Sequence, residues 1–366
     1  MTALPGQAEL ETRPEATRVG KDSGYNNLGT WSVVLAGGEG KRLSHLMERW
    51  LGYHKPKQYC VFVGTRSMLQ HTLDRVDHIS SPEHKVTVIS RSHRQIALPQ
   101  LRGRAGNILF QPANRGTAAG IFLALTYVRR YNPLATVVIH PSDHFVYPEE
   151  HLIQALRRVV GLVPLLSDRL ILVGIVPNEI EVDYGWILPD QSLGWYGEHE
   201  FRTVSSFLEK PGSTQAREVA DSGGLWNTFL MVATVETLWQ LGWRCLPGLM
   251  QLFEILEEKI GTNREEGVLH SIYQKMFSHD FSREVLEQAV DRAVVYQLES
   301  VLWSDWGREE RIVQSLCQVG RRPHFLESIL RSTRTGEPDG DSSRSTREQS
   351  HERRNERKYS YDNAAC

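Results

Sequence analysis

Apolar positions in this chain fall into short runs that alternate with longer stretches of helical spacing. Residues 31–36 form a hydrophobic run that ends in glycines, the pattern of a buried strand opening into a turn. Residues 85–90 and 107–110 are further strand candidates. Residues 117–130 follow, with Ile121, Leu125 and Val128 at helical spacing. Residues 136–140 are β-branched and apolar and stop at Pro141. A helix over about 149–160 and a strand over 170–176 come next. This alternation predicts an α/β fold, a mostly parallel sheet with helices on both faces. After Val182 the pattern loosens. Residues 184–188, 201–208 and 225–233 read as strands of an antiparallel elaboration, 234–289 as mainly helical, and 293–302 as a return to strand.

Outside this region the patterning stops. Residues 1–30 lack hydrophobic periodicity and read as a flexible leader. Residues 331–366 are rich in Ser, Arg, Glu, Asp and Gly, too poor in apolar surface to offset the entropy of ordering, and are expected to be a disordered charged tail. One domain is expected between them, over 31–330. Of the 366 residues 40% are hydrophobic, enough for a substantial core. The formal net charge of -2 gives no electrostatic reason to expect nucleic acid or an anionic membrane as partner. Cys60, Cys245, Cys317 and Cys366 have no metal-ligand spacing. A reduced, cytoplasmic protein is expected, with the first three as small buried hydrophobes. The apolar run at 170–176 is far too short to span a bilayer, and no secretory h-region is present.

Candidate chemistry starts just after the first strand. In Ala36-Gly37-Gly38-Glu39-Gly40-Lys41-Arg42-Leu43 three glycines let backbone N–H groups approach an anion, and two cations follow. A Walker A loop is excluded, since Arg42 follows Lys41 and Ala36 stands where the earlier glycine belongs. A dinucleotide fingerprint is excluded because Leu43 replaces its third glycine. A second cationic element, Lys55-Pro56-Lys57-Gln58-Tyr59, lies just downstream.

Farther on, Gln111-Pro112-Ala113-Asn114-Arg115-Gly116-Thr117-Ala118 joins a strand to a helix, which is either a plain helix start or a ligand loop. His140-Pro141-Ser142-Asp143-His144 ends a strand, where ligands bind in open α/β sheets, and Trp303-Ser304-Asp305-Trp306-Gly307 ends another. Each aspartate alone reads first as a turn or cap residue, although a hard cation such as Mg²⁺ takes one or two carboxylates. A zinc site from His140, Asp143 and His144 is disfavoured, because neighbouring side chains on extended chain point to opposite faces. Tyr184-Gly185-Trp186-Ile187, Leu208-Glu209-Lys210-Pro211 and Leu225-Trp226-Asn227-Thr228 complete an ordered set.

That set strongly resembles the signature of sugar-1-phosphate nucleotidyltransferases, and its Pro-Lys-Gln form resembles the bacterial mannose-1-phosphate guanylyltransferase branch. The resemblance implies a Rossmann-like, nucleotide-diphospho-sugar transferase type of sheet. It implies that Gly37, Gly38 and Gly40 wrap the nucleotide, that Arg42 and Lys57 grip its phosphates, and that Gln111, Arg115, Gly116 and Thr117 lie at the base. Gly185, Glu209 and Asn227 would meet the sugar, Lys210 its phosphate, and Asp143 and Asp305 would hold Mg²⁺. The implied partners are small molecules, an NTP and a sugar-1-phosphate, and the resemblance leaves room for a homodimer. Five positions depart from the family pattern: Lys41 for Thr, Gly116 for Asn, Thr228-Phe229 for Ser-Gly, and Ser282 for Asp. The expected reaction is in-line transfer of a nucleotidyl group, guanylyl to mannose-1-phosphate first, with another base or sugar second. A catalytically silent sugar-nucleotide-binding regulator is the reading from a different class.

Overall fold

The computed structural model describes residues 29–104, 106–196 and 199–326. The expected tail and, but for its last two residues, the expected leader lie outside these. Eleven strands occur among the described residues: β1 (Thr30–Leu35), β2 (Lys85–Ser90), β3 (Asn107–Gln111), β4 (Thr136–Pro141), β5 (Phe145–Tyr147), β6 (Leu170–Ile175), β7 (Gly185–Tyr196), β8 (His199–Glu209), β9 (Leu225–Thr234), β10 (Ala293–Leu298) and β11 (Leu302–Ser304). One 9-stranded sheet has the order β3-β2-β1-β4-β9-β6-β10-β8-β7, and β11 pairs with β5 separately. The pairs β1–β2, β1–β4, β2–β3 and β6–β10 are parallel. β9 and β8 run against this direction. The mixed, mostly parallel sheet and the antiparallel C-terminal elaboration are therefore as the sequence predicts.

The helices are α1 (Ser44–Leu51), α2 (Met68–Val76), α3 (Arg94–Leu101), α4 (Gly116–Tyr131), α5 (Glu149–Leu162), α6 (Ser213–Asp221), α7 (Val235–Cys245), α8 (Pro247–Glu257), α9 (Glu265–Lys275) and α10 (Glu309–Gln318). Alternation along β1 explains the two covered faces. Val33 packs in one core with Ile121 and Leu125 of α4, while Val34 packs in another with Leu69 and Leu73 of α2 and Ala97 of α3. On β4, Val138 meets Leu152, Leu156 and Val159 of α5. Helix α4 is apolar all round between Ala118 and Leu125, and those residues are all fully buried. Each large side chain there contributes about 1.5–3 kcal/mol of burial.

Three features differ from the sequence expectations. The strand expected over 293–302 is interrupted at Ser300, whose φ of 56° reverses the chain, so β10 joins the main sheet and β11 pairs with β5 instead. β5 itself is only three residues long, too short to carry a period. The hairpin β7–β8 is much longer than expected, because its outer part around Asp190 and Gln191 is polar on both faces and shows no alternation. Cys60 is a buried free thiol, whereas Cys245 and Cys317 are only half-buried, so the expectation of small buried hydrophobes among the first three cysteines holds for Cys60 alone. Among the described residues no helix is long and apolar enough to cross a membrane.

Candidate active site

Parallel pairing brings the first chemical elements together. Leu35 at the end of β1 lies opposite Pro141 at the end of β4, so the glycine loop and Asp143 emerge side by side. The Ser142 hydroxyl donates to the Leu35 carbonyl at 2.7 Å. Gln111 lies opposite Ser90 at the end of neighbouring β2 and β3. The Lys55–Tyr59 element folds onto the glycine loop and holds its carbonyls: Gln58 Nε2 donates to Ala36 O at 3.1 Å and Gly38 O at 2.7 Å, and Tyr59 OH donates to Ala36 O at 2.8 Å. With those carbonyls turned onto protein donors, the loop's N–H groups are the ones an anion would use. Gly40 has φ 65°, and a Cβ there would lie 3.0 Å from Pro56 Cα, so this glycine joins the two elements rather than lining a cavity.

These ends open into one cavity of about 400 Å³. Gly37, Gly38, Arg42, Gln111, Gly116 and Thr117 line one side, Asp143 and Asp305 its floor, and Gly185, Glu209, Lys210 and Asn227 the other side. Lys57 is placed differently from its expected grip on phosphate. It is 5% exposed, with Nζ 3.2 Å from Asp143 Oδ2 and donating to the Asp305 carbonyl, so it ties the two acidic segments together from behind the wall.

The two carboxylates differ in surroundings. Burial pushes the Asp143 carboxyl up, but Lys57 and His144 outweigh it and hold it below the ordinary carboxylate range. Its side chain keeps 34% exposure toward the cavity. Asp305 is 6% exposed, and Lys57, Arg42, His144 and Arg311 overcome its burial to hold it well below the usual range. Its Oδ1 accepts from Tyr184 OH at 3.1 Å, Arg311 Nη1 at 2.9 Å and Gly307 N–H at 2.8 Å, and its Oδ2 from Arg42 at 3.0 Å. Magnesium takes one or two carboxylates and completes its shell with substrate phosphates and water. Asp143, exposed to the cavity, and Asp305, whose Oδ2 is held by a half-exposed Arg42, fit that donor set. Zinc does not fit: no group of three His, Cys, Asp or Glu suited to a metal occurs among the described residues, and His140 is buried away beside Arg75.

Across the cavity, β7 and β8 place Gly185 opposite Glu209, and β9 brings Asn227 beside them. A Cβ on Gly185 would lie 2.9 Å from Glu209 Oε2 and 3.1 Å from Phe207 Cζ, so a larger residue here would have to displace the Glu209 carboxylate. Lys210 pairs with Glu209 at 2.8 Å. Lys210 and Phe229 have φ of 51° and 59°, a conformation that costs a non-glycine residue about 1–3 kcal/mol. Phe229 stands where the resembled motif has Gly. The backbone kept the glycine-like turn while the side chain changed, and Asn227 Oδ1 accepts from Phe229 N–H at 3.1 Å.

The base-loop residues divide. Gly116, with φ 80°, lies against residue 279: a Cβ there would come 2.1 Å from His279 O, which accounts for glycine in place of Asn. Thr117 Oγ1 accepts from Phe281 N–H at 2.8 Å. Arg115 is not on the cavity wall; its Nε donates to Tyr273 O at 2.9 Å. Sequence reasoning assigned no role to Tyr184, Arg311, Tyr273 or Glu287. Glu287 accepts from the Glu209 backbone N–H at 2.8 Å.

A family model for nucleotidyl transferases matches residues 31–259 of the chain. The chain belongs to the nucleotidyl transferase family. Among its relatives, the mannose-1-phosphate guanylyltransferase RfbM of Salmonella typhimurium is 33% identical over 204 residues, 54% of this chain and 40% of the relative. The mannose-1-phosphate guanylyltransferase of Klebsiella pneumoniae is 27% identical over 281 residues, 75% of this chain and 57% of the relative. This nucleotidyl transferase thus spans about half the length of the curated relatives it matches. Its fold is similar to that of mannose-1-phosphate geranyltransferase from Thermus thermophilus, with TM-score 0.66 and 24% identity over 80% of this chain and 79% of the other. UDP-glucose pyrophosphorylase complexed with UDP-glucose shares the fold at TM-score 0.51 and 14% identity, covering 84% of this chain and 99% of that one.

Proposed function

We propose that this nucleotidyl transferase moves the nucleotidyl group of an NTP onto a sugar-1-phosphate with release of pyrophosphate, and that GTP and mannose-1-phosphate are its pair. The observation that carries this reading is the single cavity in which the glycine loop, two strand-end aspartates and the Gly185–Glu209–Asn227 cluster face one another. The relatives' names supply the sugar and the base.

A phosphate monoester has its second pKa at about 6, so the attacking oxygen is largely ionised at neutral pH and needs no general base. That oxygen bonds to the α-phosphorus, the bond from α-phosphorus to the β-bridging oxygen breaks, and the electron pair leaves with pyrophosphate. The chain's own work is orientation and neutralisation. The glycine-loop amides hold the triphosphate, and Arg42, more than half exposed, moves from Asp305 onto a phosphate oxygen. Lys210, also partly exposed, turns from Glu209 to the sugar phosphate, leaving Glu209 and Asn227 for hydroxyls. Asp143 and Asp305 would hold Mg²⁺, which supplies charge neutralisation for the phosphates when bound.

The test is pyrophosphate release with mannose-1-phosphate and Mg²⁺, with GTP, ATP, UTP, CTP and dTTP offered separately. Release with GTP above the others is the expected result. Release with another nucleotide keeps the reaction and moves the base. Silence with all five and with other sugar phosphates supports the non-catalytic regulator and overturns the proposal.

A further inference from the structure

Strand β9 breaks its register where it reaches the cavity. Against β6, Met231 pairs with Leu172 and Asn227 with Gly174, so Thr228, Phe229 and Leu230 stand opposite Val173 alone. Side chains close this bulge. The fully buried Thr228 hydroxyl donates to Val173 O at 2.6 Å and accepts from Leu230 N–H at 3.3 Å, while Asn227 Oδ1 accepts from Phe229 N–H. Inside it Phe229 is held at φ 59°, where a glycine would sit without crowding between Cβ and the backbone.

Bulges beside ligand sites re-aim side chains, and backbone strain tied down by hydrogen bonds points to a use for the residue that bears it. Phe229 is half-buried: it packs on the main core and also lines the cavity. It stands just past the last rung between β4 and β9, Ile139 with Met231, and two residues from Asn227. It therefore lies between the strand end that delivers Asp143 and the Gly185–Glu209–Asn227 cluster. Glu209, Lys210 and Asn227 bring hydrogen-bonding groups to this side of the cavity; Phe229 brings bulk and an apolar face.

A sugar-1-phosphate seated on that cluster points its anomeric phosphate toward Asp143 and Asp305, and Phe229 stands at the boundary it crosses. Of the two ring atoms beside C1, one is the ring oxygen, so the substituent nearest the phosphate is the one on C2. A hydroxyl there is small. An acetamido group is bulkier and carries an amide N–H and C=O that would lose water against a phenyl wall without gaining a partner. We propose that Phe229, carried by the β9 bulge, narrows the sugar side of the cavity and selects sugar-1-phosphates with a 2-hydroxyl over their 2-acetamido counterparts. This rests on the reading that a sugar-1-phosphate binds in this cavity. Phe229 sets specificity and moves no proton.

The experiment measures kcat/KM for pyrophosphate release by the full chain, with Mg²⁺ and the NTP that the wild type accepts. Mannose-1-phosphate is paired with N-acetylmannosamine-1-phosphate and glucose-1-phosphate with N-acetylglucosamine-1-phosphate, for wild type, Phe229→Leu and Phe229→Gly. The wild type should prefer the 2-hydroxyl sugar of each pair. That preference should fall in the order Phe, Leu, Gly, narrowing on the order of tenfold by glycine through a gain with the acetamido sugars. Glycine suits the φ of the bulge, and Phe229→Leu keeps apolar contact with the core should glycine loosen it. A wild type that uses both members of a pair equally overturns the inference and leaves the transferase reading intact. So do variants in which both members lose one common factor, the mark of a merely structural role. A wild type silent with all four sugar phosphates and every NTP sinks the transferase reading, and the inference with it.

Discussion

The end of β4 and the end of β11 each deliver an aspartate to the same cavity, under opposite conditions. Asp143 has Lys57 at 3.2 Å and His144 at 3.6 Å and keeps a third of its side chain exposed. Asp305 is buried and accepts from Tyr184, Gly307, Arg311 and Arg42. Arg311 also pairs with buried Glu181, and its guanidinium lies 4.6 Å above the Tyr184 ring. The β11 end is thus a finished electrostatic network, and the β4 end an open ligand. Equal residues in equal-looking motifs differ in setting: one carboxylate is anchored by four donors, and the other keeps a face open to the cavity beside Lys57.

The largest expected effect tests the anchored end. Arg311→Met would leave Glu181 and Asp305 as buried carboxylates short of a cation and should destabilise the fold by about 3–5 kcal/mol in urea unfolding. A loss under about 1 kcal/mol would show that the network is not structural. Arg42 touches the same aspartate from a half-exposed position, so Arg42→Ala should cost under about 1 kcal/mol of stability. Its turnover should nevertheless fall on the order of 10²- to 10³-fold in a pyrophosphate-release assay. If both arginine variants moved the same quantity, the division between anchor and ligand would collapse.

Acid should affect the two ends at different pH. On β4, burial first, and Arg75 second, drives His140 down to about 3, against about 6.5 unfolded. The unfolded chain then binds the proton first, so the stability present above pH 6.5 is lost as pH falls from there toward 3. Asp305 is depressed below the ordinary carboxylate value, so its contribution is lost only below about pH 4. Between pH 6.5 and 4.5 urea stability should fall, with His140 contributing up to about 1.4 kcal/mol per pH unit. Burial also pushes His144 down to about 4, so His140→Asn should reduce that slope without abolishing it; an unchanged slope would refute the assignment. The smallest effect belongs to Lys41→Thr. Lys41 is 83% exposed and pairs with Glu39 among the described residues, so the change should stay within about 0.5 kcal/mol in thermal melts.

The parallel core and the aspartate pair were legible because both leave local marks, an apolar run ending at Gly37 and a strand ending at Asp143. Gly40 and Gly116 were legible as residues but not in their roles: what they make room for is Pro56 and His279, brought in by tertiary packing. The resemblance placed Arg115 at the base, yet a carbonyl of α9 takes its hydrogen bond. Arg311 and Tyr273 carry no motif at all. They hold Asp305 and Gln111, which only the folded chain brings to them. Phe229 departs from its motif in side chain and keeps it in backbone, a distinction invisible without φ.

The most direct test of the central claim is pyrophosphate release from mannose-1-phosphate and GTP as Mg²⁺ is titrated, with wild type, Asp143→Asn and Asp305→Asn side by side. The account predicts a Mg²⁺-dependent wild-type rate and losses on the order of 10²- to 10³-fold in both variants. Turnover retained by both would contradict it, since the two strand ends would then meet at the cavity without serving the reaction.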